Sequence, residues 1–211
     1  ISEEFRKVIE PILRMYNAAM NVTTARIEII KDESRYKNVR CPVHHIDTRL
    51  KSAGSILGKL QKKNLDLTIG AACNNIYDIA GVRIVCPYIK DVYFIRDRIL
   101  AQDDIEVMKV KDYIEHPKEN GYRSYHMIVE VPVFFSSSKK NIRVEVQIRT
   151  IAMDFWASLD HQLKYKKQLD AQEAAEIGAE LKKCADVISE TDCKMLSIRQ
   201  KIEEKHPTQE E

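Results

Sequence analysis

Paired cysteines are the first thing this chain lacks. Its five cysteines, Cys41, Cys73, Cys86, Cys184 and Cys193, are odd in number and show no C-x-x-C spacing. That excludes a disulfide-built scaffold and suits a reducing, cytoplasmic setting. Cys41 with His44 and His45 has no fourth ligand at a zinc-like spacing and reads as a turn cysteine followed by strand histidines. No apolar run is long enough to span a membrane, and the residues from Ile1 carry no signal-peptide pattern. Net charge is nearly absent too: 34 basic residues against 32 acidic leave +2, so bulk electrostatics make no case for a nucleic-acid or membrane partner. Any polyanion must be met by local clusters.

What is present is a globular composition, 44% hydrophobic and 31% charged over 211 residues, enough for one good core. The central stretch is NIRVEVQIRT, residues 141–150. Alternation in a strand sends Val144, Val146 and Ile148 one way and Arg143, Glu145, Gln147 and Arg149 the other. Around it the pattern alternates strands with helices, predicting an α/β fold with a sheet of about five strands. Strands are expected over 43–51, 81–86, 105–111, 122–134 and in the central stretch, with a hairpin turn over 136–140. Helices are expected from Ser52 through Leu60, over 91–100 and over 151–167. A long N-terminal helix carries Phe5, Ile9, Leu13, Tyr16, Met20, Thr23, Ile27 and Ile30 as one stripe, with Pro11 starting or kinking it. A C-terminal helix over 171–205 carries Ile177, Leu181, Cys184, Ile188, Met195, Ile198 and Ile202. These terminal stripes exceed what such a sheet can cover and read as seams between helices or subunits. The organisation follows: 1–42 a helical extension, 43–167 the α/β domain, 168–211 a helix whose last residues, 206–211, form a disordered tail.

Chemistry gathers in a few places. Arg49 and Lys51, two apart on a strand, share a face, and Ser52 then caps a helix on which Ser55 and Lys59 follow on one side. That strand-helix junction offers cations and hydroxyls to a polyphosphate. The neighbouring GSILGK, residues 54–59, resembles a phosphate loop but is one residue short and followed by Leu60, so it is rejected. Asp78, before one strand, and Glu145, on another, supply two carboxylates, enough for a magnesium ion that also takes substrate phosphates. Residues 113–121, rich in Pro, Asn and Gly, form a loop long enough to be functional.

Taken in order, Arg49-x-Lys51-Ser52-x-x-Ser55-Ile56-x-x-Lys59, Asp78-Ile79-Ala80-Gly81-Val82-Arg83, Lys111-Asp112-Tyr113-Ile114, Pro117-Lys118-x-Asn120-Gly121-Tyr122-Arg123-Ser124-x-His126 and Glu145-x-Gln147-Ile148-Arg149-Thr150 resemble the RelA/SpoT-type alarmone synthetases. With TIAMDFWASLDHQLKYKK, the chain looks most like their small members, nearest the RelP type. The resemblance implies a nucleotidyltransferase-like mixed sheet flanked by helices, and a cytoplasmic, magnesium-dependent enzyme that is often a homotetramer. The implied reaction moves the pyrophosphoryl group of ATP to the 3′-hydroxyl of GDP or GTP. It also implies roles: Arg49 and Arg83 sandwich the adenine, Lys51, Ser55 and Lys59 hold the ATP phosphates, and Asp78 and Glu145 carry Mg²⁺. Glu145 takes the 3′-hydroxyl proton, Gln147 orients either Glu145 or the acceptor ribose, Tyr122 stacks on guanine near Asn120 and His126, and Lys111 and Lys118 bind the acceptor phosphates. Asp154 either reads the guanine edge or caps a helix. With no His-Asp dipeptide and no room upstream for a hydrolase domain, synthesis without hydrolysis is expected. The rival is a regulatory protein on the same fold that binds RNA or a nucleotide, and it requires a contiguous basic surface or loss of a carboxylate.

Overall fold

The central stretch ends strand β5 (Lys139–Thr150), and its alternation holds: Val144, Val146 and Ile148 are fully buried while Arg143, Glu145 and Gln147 are half-buried opposite them. In this computed structural model, residues 3–37, 39–164 and 170–206 are described, without the side chains of 3–6, 164 and 171. The Phe5 end of the first stripe, the domain boundary at 167 and the tail over 207–211 lie outside these described residues.

The elements run α1 (Glu3–Tyr36), β1 (His45–Leu50), α2 (Ala53–Lys62), α3 (Ile69–Asn75), β2 (Ala80–Cys86), α4 (Ile89–Leu100), β3 (Glu106–Asp112), β4 (Tyr125–Phe134), β5, α5 (Ile151–Lys164) and α6 (Ala171–Lys205). The sheet is mixed, in the order β1-β2-β5-β4-β3, with only β2 and β5 parallel. Helices α1 and α4 pack on the sheet, and the core runs from Ile9, Tyr16, Met20 and Ile27 of α1 to the buried sides of β2, β4 and β5. Pro11 lies inside α1. The β-branched run at Val22–Thr24 is accommodated because Thr23 and Thr24 donate their hydroxyls to the carbonyls of Ala19 and Met20, at 2.8 and 2.9 Å.

Several expectations need correction. The strand expected from Tyr122 begins at Tyr125, because Tyr113 N–H and Lys118 N–H are spent on the carbonyls of Ser124 and Tyr122 (3.0 and 3.2 Å), which folds 113–124 into a loop. The hairpin turn is shorter than 136–140, closed by Phe135 N–H on Ser138 C=O at 2.8 Å, so Lys139 and Lys140 already lie in β5. Helix α3 was not expected. It is seven residues long and starts where the Thr68 hydroxyl accepts from Ala71 N–H at 3.1 Å. In α6 the buried line is Leu181, Ala185 and Asp192, with Ile177 and Ile188 beside it, while Cys184, Met195, Ile198 and Ile202 are exposed. On α5, Met153 and Trp156 face inward, and Ile151, Phe155, Leu159 and Leu163 form an exposed stripe at four-residue steps.

Helices α5 and α6 pack on each other around Trp156, whose indole donates to Leu181 C=O at 3.0 Å. Thr150 ties them to the sheet: its hydroxyl accepts from Met153 N–H (3.1 Å), capping α5, and donates to the buried Asp192 carboxylate (2.6 Å). Burial raises the Asp192 carboxyl, and Thr150 offsets this only in part. A carboxyl raised in the fold adds no penalty below its unfolded value of 3.8, a growing one as pH climbs from there to the folded value, and a constant one above it. Asp192→Asn, which keeps an acceptor for Thr150, is therefore expected to stabilise the protein at pH 7 by about 1 kcal/mol, or about 2–4 °C in Tm. Thermal melts from pH 7 downward should show this gain vanishing near pH 4 and below.

Candidate active site

Residues directly opposed across paired strands share a face. On the sheet face away from the buried valines, the register lines up Lys109, Ile128, Glu145, Gly81 and Arg49 in one row across all five strands. The next row is Lys111, His126, Gln147, Arg83 and Asp47. Gly81, having no side chain, leaves open floor between Arg49 and Glu145.

Asp78 enters from the turn between α3 and β2, held there because Lys51 N–H donates to Ile79 C=O at 2.8 Å. Its two oxygens are gripped separately, Oδ1 by Lys59 Nζ at 2.7 Å and Oδ2 by Lys51 Nζ at 3.0 Å. Burial pushes the Asp78 carboxyl up, but the hydrogen bonds and charges of Lys59 and Lys51 outweigh it and hold it below the usual carboxylate value. Lys59 can make this contact because the Ser52 cap, accepting from Ser55 N–H at 3.2 Å, starts α2 directly after β1. The rejected phosphate-loop look-alike lies within and at the start of this helix.

Glu145 sits beside Asp78 over β5. Burial raises its carboxyl, His126 and Gln147 lower it, Asp78 opposes them, and the net direction is down. Gln147 Nε2 donates to Oε2 at 3.1 Å, and His126 Nδ1 stands 3.7 Å from Oε1. Burial lowers the His126 pKa more than Glu145 raises it, so the imidazole is neutral at pH 7. Tyr122 reaches His126 Nε2 at 2.9 Å, and its ring packs edge-on against His126 and Tyr113 and at a tilt against Trp156.

Three adjoining cavities divide this surface, of about 370, 290 and 810 Å³. The first is lined by Arg49, Lys51, Arg83 and Gln147, the second by Lys59, Lys111, Lys118, Tyr113 and His126; Asp78 and Glu145 line both. The third, with Arg49 and Arg83 on one side and Lys118, Asn120 and Tyr122 on the other, adjoins both. Two anticipated residues stand apart. Ser55 is exposed, bonded to Ser52 at 2.9 Å, and lines none of the three. Asp154 is held by Arg149 (3.1 Å) and Arg83 (3.5 Å), so its carboxylate is already committed to two guanidiniums.

Some lining residues were given no role from sequence. Lys109 lies two before Lys111 on β3, a spacing that puts both on one face; Lys63 and Asn75 reach the second cavity from α2 and α3. Arg149 was legible as a member of the polar face, but its 5% exposure was not. Among the described residues no cluster of three or more His, Cys, Asp or Glu could hold a metal. Two adjacent carboxylates facing a cationic, phosphate-sized cavity do fit a hard ion such as magnesium, which takes one or two carboxylates and completes its shell with water and phosphate. Cys41, the other candidate, donates its thiol to Val43 C=O at 3.2 Å.

Residues 48–170 match the model of the region found in RelA/SpoT proteins, more than half of the chain. The chain belongs to this family. It is 39% identical over 191 residues to the GTP pyrophosphokinase YwaC of Bacillus subtilis, covering 90% of both chains. To the GTP pyrophosphokinase YjbM of the same organism it is 33% identical, covering 92% of this chain and 90% of that one. The crystal structure of Bacillus subtilis small alarmone synthetase 1 bound to pppGpp superposes with a TM-score of 0.83 at 31% identity, over 93% of this chain and 99% of that one.

In this RelA/SpoT chain the loop 113–124 leans on α6. Arg123 donates to Gly121 C=O (3.1 Å), to Ala185 C=O (3.3 Å) and to Asp186 (3.0 Å). Gly121 has φ +87°, and a Cβ there would stand 2.4 Å from Ala185 Cβ and 3.2 Å from Lys182 Cα. Strain and overlap both require glycine. Gly121→Ala is expected to displace Asn120 and Tyr122 and to destabilise the protein by about 1–3 kcal/mol. Thermal melts of the variant beside wild type check this; an unchanged Tm would contradict it.

Proposed function

We propose that the chain is a cytoplasmic (p)ppGpp synthetase of the small alarmone type, transferring the pyrophosphoryl group of ATP to the 3′-hydroxyl of GDP or GTP and releasing AMP. The supporting observation is that Asp78 and Glu145 form the shared wall of two cationic cavities. ATP takes the Arg49–Lys51–Arg83 side, its adenine between two guanidiniums that stack on a π face. The acceptor takes the other side, its base against Tyr122 near Asn120 and His126, its 5′-phosphates among Lys111 and Lys118. Asp154 reads the guanine edge when released from Arg149.

The reaction then needs no covalent enzyme intermediate. The 3′-oxygen attacks the β-phosphorus, the bond from that phosphorus to the α-phosphate bridging oxygen breaks, AMP departs, and the 3′-hydroxyl proton passes to Glu145. When bound, Mg²⁺ held by Asp78, Glu145 and the ATP phosphates supplies charge neutralisation for the transferring group. Lys51 and Lys59 trade Asp78 for phosphate oxygens, Ser55 adds a hydroxyl at the α2 N-terminus, and Gln147 keeps Glu145 turned toward the acceptor. Pyrophosphoryl transfer is positioning plus electrostatics, and this site supplies both.

No described helix is long and apolar enough to cross a membrane. We assign the exposed stripes on α5 and α6 to a homotetramer; Leu159 and Ile202 are 41% and 56% exposed and have no cover among the described residues.

Purified protein with Mg²⁺, ATP labelled in the γ-phosphate and GDP should move label onto the guanosine nucleotide with one AMP per transfer. Glu145→Gln should lower the rate about 10³-fold, and EDTA should abolish it. Label released as free phosphate, or an active Glu145→Gln protein, would contradict the reaction or the base respectively.

A further inference from the structure

Arg149 is the most buried guanidinium at the site and, of the three cavities, lines only the third. Its contacts are all donations: Nε to Ser124 Oγ (3.3 Å), one terminal nitrogen to Asp154 (3.1 Å), the other to both Gln147 Oε1 (2.9 Å) and the Tyr122 phenol (2.6 Å). The last nitrogen has two hydrogens, and each has its own acceptor. Its guanidinium carbon also lies 5.2 Å from the centre of the Tyr122 ring.

A guanidinium only donates and a carboxylate only accepts, so groups strung between them have no choice of direction. Gln147 turns its oxygen to Arg149, so its amide nitrogen must face Glu145, where it donates to Oε2 at 3.1 Å. The Tyr122 oxygen receives from Arg149, so its own hydrogen is left for His126 Nε2 at 2.9 Å. Nε2 is then the bare nitrogen of the neutral imidazole and Nδ1 carries the hydrogen, 3.7 Å from Glu145 Oε1. Two arms of fixed polarity thus leave one guanidinium: one ends in a hydrogen bond to Glu145 Oε2, the other in an N–H facing Oε1 from 3.7 Å.

We propose that Arg149 is the positioning residue of this reaction: through Gln147 on one side and Tyr122–His126 on the other, it aims N–H donors at both oxygens of Glu145. The catalytic carboxylate is thereby held in one rotamer. The same arrangement couples acceptor to base, because Tyr122 carries both the ring that stacks on guanine and the hydroxyl that sets His126. The proposal rests on the reading of Glu145 as the base.

Two measurements test it. In nucleotide-free, metal-free protein labelled with ¹⁵N in its imidazoles, long-range ¹H–¹⁵N correlation at neutral pH identifies which His126 nitrogen is protonated, the signal being assigned by its loss in His126→Gln. Protonation at Nδ1 is expected; the Nε2 tautomer would overturn the Tyr122–His126 arm. Second, Arg149→Met should lower kcat about tenfold or more with the KM for ATP unchanged, and Arg149→Lys should recover part of it. In a Tyr122→Phe/Gln147→Leu background, where both arms are already cut, adding Arg149→Met should cost less than about twofold. A full further loss in that background would show that Arg149 does not act through the arms and would overturn the proposal. An active Glu145→Gln protein would instead remove the base reading beneath it, whatever tautomer His126 shows.

Discussion

The contact on which the site depends is Asp78 between Lys51 and Lys59. Without nucleotide it satisfies three buried or half-buried charges at once, at 3.0 and 2.7 Å, and keeps the lysine heads from repelling one another. It is also an arrangement built to be exchanged. A polyphosphate offers the lysines more negative charge than one carboxylate does, and a divalent cation offers Asp78 more positive charge than two shared ammoniums. Under the proposed function, nucleotide and metal therefore displace the same ion pairs from opposite sides, and each makes the other's entry easier.

That exchange needs a rigid frame. On the side proposed for ATP the backbone supplies it: Lys51 follows directly on β1, Ser52 caps α2, and the Lys51–Ile79 backbone hydrogen bond holds the Asp78 turn against the strand end. On the acceptor side the frame is made of side chains and α6. Thr150 joins α5 to Asp192, Trp156 reaches Leu181, and Arg123 fastens the 113–124 loop to Ala185 and Asp186. The C-terminal helix is thus part of the frame around the 113–124 loop and not an appendage, and Arg149 sits where this frame meets Glu145.

How far the residues could be read in advance follows from which forces were local. Alternation at 141–150, the Ser52 cap and the paired cations at Arg49/Lys51 are short-range patterns, and the structure repeats them. The five-strand mixed sheet agrees with the α/β expectation and with the family resemblance. What escaped depended on tertiary partners. Arg149 looks like any polar-face residue until neighbouring groups cover it. Asp192 falls on the buried side of α6 and Met195 on the open side, because the packed face was chosen by Trp156 and Thr150 and not by the densest apolar stripe. Helix α3 is too short for periodicity to reveal, and the late start of β4 is set by where loop N–H groups find carbonyls. The site residues along strands were legible as shared faces; the division into two cavities around Asp78 and Glu145 required the register of all five strands.

The exchange at Asp78 can be measured directly by isothermal titration of the non-cleavable ATP analogue with a methylene between its α- and β-phosphates, with and without Mg²⁺, into wild type and Asp78→Asn. Without metal, the variant should bind the analogue more tightly than wild type, because its lysines are already free; with Mg²⁺ the order should reverse, because the variant has lost a ligand for the ion. If Asp78→Asn and wild type keep the same order of affinity in both conditions, Asp78 is not the point where nucleotide and metal trade places, and the account fails at its centre.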